Sequence, residues 1–341
     1  MFQITGYKKI IDEILRDIPD RSRNILSRRF GIGENQELPS QETLESIGDD
    51  YGITRERVRQ IEKKSIDTLR NSPKFSRLRE PLLEIKYFID DNGGLKKEDL
   101  LESYLVPDVG YRPYLVLLLD LGKYFSYKYD TPDFYSFWET KKEAEEIARR
   151  IDSLLIELLE KKKKLLKQEE ILEVGRERAR KALRKDFKKG HILSYIEVSK
   201  IIESNPFGEY GLFCWPEVNP KGVREKAYLI LKKEGKPVHF RELARIIESD
   251  LQSSVHVNTL HNELIKDPEF VLVGRGVYAL RDWGYKEGTV RDIIKELLKR
   301  EGELSRGDLI EKVKEQRLVK ESTIALNLQY FKKTREGNYA L

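Results

Sequence analysis

Apolar and polar positions along this chain fall mostly into a helical rhythm. From Arg55 to about Leu69, Val58, Ile61, Ser65 and Leu69 recur three or four apart and make one face, which Ile66 widens. Glu56, Gln60 and Lys63 lie opposite that face, flanked by Arg57, Arg59 and Lys64. Just upstream, Thr43-Leu-Glu-Ser-Ile-Gly-Asp-Asp-Tyr-Gly predicts a shorter helix that must end at Gly52, a place that favours a positive φ angle. Thr54 is set to cap the second helix, its hydroxyl accepting a free N-terminal backbone N–H. Two helices joined so tightly cross at a large angle, which projects the second outward. The pattern is that of a helix-turn-helix.

Pro73 and Pro81 bracket a break, and beyond it a pattern recurs. Residues 223–283 predict a helix (Val223–Glu234), a Gly-Lys-Pro-Val connection, helices at Phe240–Glu248 and Val257–Ile265, and two strands. The strands, Phe270-Val-Leu-Val and Val277-Tyr-Ala-Leu, are split by Gly274-Arg-Gly276, a wing turn whose glycines suit unusual φ values. Residues 289–341 repeat this order: Leu297-Leu-Lys-Arg-Glu-Gly-Glu-Leu parallels Ile230-Leu-Lys-Lys-Glu-Gly-Lys-Pro, and Gly337-Asn-Tyr-Ala-Leu parallels Gly276-Val-Tyr-Ala-Leu. Residues 82–138 give a looser copy, with helices at Lys97–Tyr104 and Pro113–Leu121 and an aromatic-rich hairpin at Phe125–Trp138. Residues 139–216 open with a long amphipathic helix carrying Ile147, Ile151, Leu154, Leu155, Leu158 and Leu159 on one stripe, and close in a turn and strand; a degenerate fourth copy is one reading. The expected division is 1–72, 73–138, 139–220, 221–284 and 285–341. The expected fold class is mainly α, a helix-turn-helix followed by tandem winged helices with short β wings.

Composition narrows the function. Charged residues are 36 % of 341, as expected for several small domains with much surface. The net charge is only +5, so nucleic-acid binding requires the positive charge to be clustered. One cysteine, Cys214, excludes an intrachain disulfide and a cysteine-based zinc site, and fits a reducing cytoplasm. No apolar run reaches the roughly 20 residues of a membrane span. The N-terminus lacks the apolar core of a secretory signal. A cytoplasmic, nucleoid-associated protein without membrane contact is expected.

The residue types opposite the apolar face suit base reading. Arg donates twice to guanine, Gln pairs with adenine, and Glu accepts from cytosine N4. Neighbouring Arg and Lys would hold phosphates and set register. Other constellations carry less. His239, His256 and His261 are close in sequence, but the last two are five apart rather than the four that would put ligands on one helical face, so no metal is expected. No cofactor motif and no catalytic residues stand out. Lys161–Lys164 reads as a solvated helix end, with nucleic-acid contact the alternative. Tyr124, Phe125, Tyr127, Tyr129, Phe134, Tyr135, Phe137 and Trp138 read as a hairpin packed on its own helices, with base stacking the alternative. Arg275, Lys332 and Lys333 sit where wings reach a phosphate backbone.

Two resemblances follow. Asn24-Ile-Leu-Ser-Arg-Arg-Phe-Gly-Ile-Gly, Thr43-Leu-Glu-Ser-Ile-Gly and Tyr51-Gly-Ile-Thr-Arg-Glu-Arg-Val-Arg-Gln-Ile-Glu together resemble region 4 of the sigma-70 family of bacterial RNA polymerase sigma factors, over roughly residues 10–72. That family's region reads the promoter −35 element in the major groove and docks on the flap of the polymerase β subunit. The resemblance implies that Arg55, Glu56 and Gln60 touch base edges and that Arg57 and Arg59 serve bases or phosphates. Lys63, Lys64 and Thr43 join the DNA-contact candidates, as do Arg28 and Arg29 as phosphate contacts. Two departures matter: the loop from Ile32 to Glu42 is longer than the family's connection, and no stretch resembles the region that melts the −10 element. The chain is therefore expected not to open promoters by itself.

Gly235-Lys-Pro-Val-His-Phe-Arg-Glu-Leu, Val257-Asn-Thr-Leu-His-Asn-Glu-Leu and Phe270-Val-Leu-Val-Gly-Arg-Gly-Val-Tyr-Ala-Leu resemble the HARE-HTH winged helices, found in the delta subunit of bacterial RNA polymerase, in chromatin proteins and in some restriction systems. These resemblances imply a non-enzymatic transcription factor or polymerase accessory protein that binds duplex promoter DNA and RNA polymerase. The alternatives are a delta-like adaptor acting mainly through protein contacts and a restriction-system component.

Overall fold

The computed structural model describes residues 4–33 and 41–341. Most of the long loop expected between Ile32 and Glu42 lies outside the described residues. The chain forms two compact units, residues up to 203 with 209–213, and residues 204–208 with 214–341. No helix of the described residues is long and apolar enough to cross a membrane.

The first unit begins with α1 (Lys8–Leu15), α2 (Asp20–Phe30), α3 (Leu44–Tyr51) and α4 (Arg55–Arg70). A winged helix follows: α5 (Arg79–Asp91), β1 (Leu95–Lys97), α6 (Glu98–Leu105), α7 (Arg112–Leu121), β2 (Ser126–Lys128) and β3 (Phe137–Glu139). The same order recurs in α8 (Ala144–Lys162), β4 (Leu166–Lys167), α9 (Gln168–Leu183), α10 (Lys189–Glu197), β5 (Ile202–Ser204) and β6 (Glu209–Leu212). In both, the third strand lies between the other two, giving sheet orders β1-β3-β2 and β4-β6-β5. Residues 139–216 are thus a complete copy rather than a degenerate one.

The second unit holds two more copies. One comprises α11 (Val223–Glu234), β7 (Val238–His239), α12 (Phe240–Leu251), α13 (Val257–Lys266), β8 (Phe270–Gly274) and β9 (Val277–Leu280), with sheet order β7-β9-β8. The other comprises α14 (Val290–Glu301), α15 (Arg306–Gln316), α16 (Glu321–Leu328), β10 (Lys332–Lys333) and β11 (Tyr339–Ala340). There an isolated bridge from Leu304 to Tyr339 stands in for the first strand.

The expected aromatic hairpin at 125–138 differs in detail. Only Ser126–Lys128 and Phe137–Glu139 pair, and the stretch between them reaches into the next repeat. Phe134 bridges Ser199, and the Tyr135 N–H donates to the Val198 carbonyl at 2.9 Å. Pro132 has no N–H to give a ladder, and a turn closed by Thr131 N–H on the Phe134 carbonyl redirects the chain.

One apolar core runs from the N-terminal helices into the first winged helix. It joins Ile11, Ile14, Leu26, Ile66 and Leu69 to Leu82, Leu115, Leu118 and Trp138. Arg70, at the end of α4, donates to the carbonyls of Asp120 (2.6 Å) and Leu121 (3.1 Å), which α7 leaves unpaired at its C-terminus. The helix-turn-helix is therefore bolted to the first winged helix by packing and by hydrogen bonds. The first two winged helices are joined in turn. Tyr195 on α10 donates its hydroxyl to the Gly93 carbonyl at 2.8 Å, and buried Lys96 pairs with Glu197 at 2.6 Å.

Candidate nucleic-acid interface

The turn between α3 and α4 is set by four short-range features. Thr43 caps α3, its hydroxyl accepting the Ser46 N–H at 3.1 Å, and Thr54 caps α4 by accepting the Arg57 N–H at 3.2 Å. Gly52 ends α3 in the left-handed region at φ +62°. Gly48 gives the turn room, since a Cβ there would stand 2.6 Å from the Ile53 carbonyl oxygen.

Packing fixes the rotation of α4. Val58 is fully buried in a small core with Ile25 and Ile47, covered by Leu44, Tyr51, Ile53 and Ile61. Burial of three such side chains is worth about 1.5–3 kcal/mol each, enough to choose one face. Ser65 sits on that face because its hydroxyl donates to the Ile61 carbonyl at 2.7 Å. The consequence is that Arg55, Glu56, Arg57, Arg59, Gln60, Lys63 and Lys64 are all exposed.

These side chains organise one another. Arg59 donates twice to Glu56, at 2.8 and 2.7 Å. Arg57 donates to the Gln60 side-chain oxygen at 3.1 Å, and the Gln60 amide reaches Glu56 at 3.5 Å. The hydrogen bond from Arg59 holds the Glu56 carboxyl below the usual carboxylate range. No ion pair among the described residues includes Arg55, Lys63 or Lys64. The face thus offers fixed donors and acceptors in its first two turns and unpaired cations around them, the division of labour between base readout and phosphate contact.

Arg28, Arg29 and Thr43 are placed differently. Arg28 makes a bidentate pair with Glu42, at 2.7 and 2.5 Å, and a second pair with Asp50. Arg29 donates to the Glu42 carbonyl at 3.2 Å and lies 3.7 Å from Glu62, whose carboxyl burial pushes upward. Both guanidinium groups are half-buried and engaged by acceptors of their own domain, which ties the start of α3 to α2. Thr43 is exposed, with its hydroxyl engaged in the cap.

Arg21 escapes a reading of spacing. It is exposed in the first turn of α2, its guanidinium 5.2 Å from the centre of the Tyr51 ring. It lines a groove of about 340 Å³ with Ile18, Ile53, Arg57, Ile61 and Lys64. No local pattern announces it, because the α4 side of that groove is distant in sequence.

In the second unit Arg275 is exposed at the wing turn, and Lys332 and Lys333 are exposed on β10. His239 and His261 both stack on the Phe240 ring, at 4.7 and 4.2 Å between centroids.

Comparison with known proteins places names on two segments. The family model described as "Sigma-70, region 4" matches residues 14–71. The HARE-HTH model, whose description includes "restriction endonuclease HTH domain", matches residues 223–283. The RNA polymerase sigma factor SigA of Lactococcus lactis subsp. cremoris is 39 % identical over 70 residues, which is 20 % of this chain and 18 % of that protein. SigA of Lactococcus lactis subsp. lactis (strain IL1403) is also 39 % identical over 70 residues, 17 % of its length. The chain thus covers less than a fifth of these relatives. No solved structure matches significantly.

Proposed function

We propose that this protein is a DNA-binding transcription factor or RNA polymerase accessory protein that reads promoter −35-like duplex DNA through α4, without melting promoters itself. One observation carries the reading: packing of Val58 turns Arg55, Glu56, Arg57, Arg59 and Gln60 to solvent together, at the capped N-terminal end of a helix. A helix entering the major groove presents that end to base edges. Arg55, Glu56 and Gln60 take the base-edge roles. Arg57 and Arg59 serve bases or phosphates, and Lys63 and Lys64 hold phosphates farther along the helix. RNA polymerase, through its β flap, is the proposed protein partner, and the bacterial cytoplasm the proposed location.

The test is selection of bound sequences from a random duplex pool, with and without polymerase, followed by Arg55→Ala with Gln60→Ala. Each good bidentate contact discriminates by about 1–3 kcal/mol, so the pair should lose tenfold or more in preference for the selected site. Equal losses on selected and random duplexes would sink the base-reading role.

A second reading, an adaptor that acts through protein contacts, is favoured by one feature. In the first two winged helices the third helix, the usual reader, is covered. Six of the ten residues of α7 are buried, packed against α1, α2 and α4, and α10 has one exposed residue, Gly190. Co-purification with polymerase in the absence of DNA, unaffected by Arg55→Ala and Gln60→Ala, would support this reading.

A further inference from the structure

Away from α4, the positive charge of the chain gathers in two stretches, the lysine run from Lys161 to Lys167 and the end of α9. Residues 176–185, Arg-Glu-Arg-Ala-Arg-Lys-Ala-Leu-Arg-Lys, hold six cations and one carboxylate. Their net of +5 equals that of the whole chain, so everything else sums to zero. They form the C-terminal half of α9 and the turn leading to α10.

Many cations among the described residues are answered by nearby carboxylates. In the lysine run at the end of α8, Lys162 and Lys164 share Glu170 at 2.8 and 3.9 Å, while no ion pair among the described residues includes Lys161 or Lys163. At the end of α9, Arg176 meets Glu173 at 3.4 Å and Arg178 donates to the Leu154 carbonyl. Arg180, Lys181, Arg184 and Lys185 are all exposed, and no ion pair among the described residues includes them.

Folding does not call for this arrangement. A helix C-terminus favours cations by about 0.3–1 kcal/mol each, which accounts for one or two in the last turn. Here Arg176 and Arg180 lie four apart within the helix, and like charges at that spacing are destabilising. Arg184 also sits in the left-handed region at φ 52°, at the helix cap where glycine is cheapest. Local repulsion and local strain are both kept at the same ten residues.

We propose that the end of α9 and the following turn form a second contact to duplex DNA, gripping phosphates without reading bases. Four of the six cations are arginines, the side chain whose planar fork suits phosphate. Along the helix, residues four apart rise about 6 Å, close to two nucleotide steps of one strand at roughly 3.4 Å each. The site belongs to the same compact unit as α4, so DNA held by one is supplied to the other at high effective concentration. That cooperation rests on the proposed reading by α4; phosphate binding at α9 does not.

The experiment uses the full chain with Arg180→Gln, Lys181→Gln, Arg184→Gln and Lys185→Gln. Binding to a random-sequence duplex is measured by fluorescence anisotropy between about 50 and 200 mM salt. Each lost phosphate contact should lower the slope of log K against log salt by about 0.9, so a fall of roughly 2–4 is expected. Preference for a selected site over random duplex should stay the same, and the circular-dichroism melting temperature should hold or rise. The matching variant with Arg180→Lys and Arg184→Lys should keep the wild-type slope. An unchanged slope in the folded Gln variant overturns the proposal, including the case in which that variant loses polymerase binding instead. If wild type shows no site preference at all, the reading by α4 fails, while the change of slope still decides the role of α9.

Discussion

Replacing Gly48 with alanine tests how the turn aims α4 and, with it, the proposed reading of DNA. Gly48 lies inside α3, where alanine would ordinarily gain about 1 kcal/mol of helix propensity. Against that, the new Cβ would meet the Ile53 carbonyl oxygen at 2.6 Å, where ordinary contact begins at 3.4 Å, so the turn must open by about 0.8 Å. The opposing atom is backbone and cannot rotate away. It belongs to Ile53, whose N–H donates to the Gly48 carbonyl at 2.9 Å, so opening the turn strains the bond that closes it. Overpacking of this kind costs about 1–3 kcal/mol, which outweighs the helix gain and leaves a net loss near 1 kcal/mol. The functional loss should be larger than the stability loss. Hydrogen bonds to base edges hold within a few tenths of an ångström, and a helix shifted by about 0.8 Å misses them. Gly52→Ala is the control. Its φ of +62° costs alanine about 1–2 kcal/mol, but nothing lies within 4 Å of the new Cβ, so α4 stays where it is. Urea midpoints and competition binding should show both variants weakened and only Gly48→Ala stripped of site preference. A Gly48→Ala protein as stable as wild type, with its preference intact, would refute the argument.

Other substitutions probe separate parts of the molecule. Asp152 on α8 has a buried carboxyl whose Oδ1 has no hydrogen-bond partner, and burial pushes its pKa up to about 6 from 3.8, with the Ser199 hydroxyl opposing only in part. The folded state therefore binds the proton more tightly than the unfolded state. This contribution is complete below about pH 4 and is lost as pH rises through about 6, by roughly 3 kcal/mol at most. Asp152→Asn should stabilise the protein at about pH 7–8 and flatten urea midpoints between about pH 4 and 6; a wild type already flat there would contradict it. Glu56→Gln removes the carboxylate that holds Arg59, so affinity for random duplex at low salt should rise while site preference falls, measured by the same competition assay. Gly93→Ala would bring a Cβ to 2.8 Å from the Tyr195 hydroxyl at φ +91°, a loss of about 2 kcal/mol or more, and limited proteolysis should then cut between the first two winged helices. Unchanged protease resistance would count against that junction.

Local pattern carried the helix-turn-helix. The spacing of Val58, Ile61, Ser65 and Leu69, the caps at Thr43 and Thr54, and the turn glycine Gly52 all act within a few residues, and α4 begins at Arg55 as they predict. The tandem winged helices were legible for the same reason at 82–138, 223–283 and 289–341, whereas 139–216 read only as a degenerate copy because its strands are short and far apart in sequence. What was not legible depends on partners distant in sequence. Arg28 reads as a free cation until folding brings Glu42 and Asp50 to it. The stretch around Phe134 reads as half of a hairpin until Ser199 of the next repeat takes it. Gly48 reads as a poor helix residue until the Ile53 carbonyl is found above it.

The fate of the four third helices shows where such distant effects leave a trace after all. Arg112-Pro-Tyr-Leu-Val-Leu-Leu-Leu-Asp-Leu in α7 is apolar nearly all round, and a helix of that kind must be buried on several sides. In α10, His191-Ile-Leu-Ser-Tyr-Ile brings Ile192, Tyr195 and Ile196 into the core, while Ser194 is buried beside Lys96. By contrast, α13 keeps Asn258, Thr259 and Asn262 exposed, and α16 keeps Ser322 and Thr323 exposed, over narrow apolar stripes of Leu260 with Leu264 and Ile324 with Leu328. The polar types left outside on these two helices are ones that can hydrogen-bond base edges, whereas α7 and α10 have exchanged them for packing. One fold therefore appears in a single chain with its third helix covered in two copies and open in the other two. The first copy shares a continuous core with the helix-turn-helix, the second is joined to the first and carries the arginine-rich end of α9, and the last two leave their third helices open.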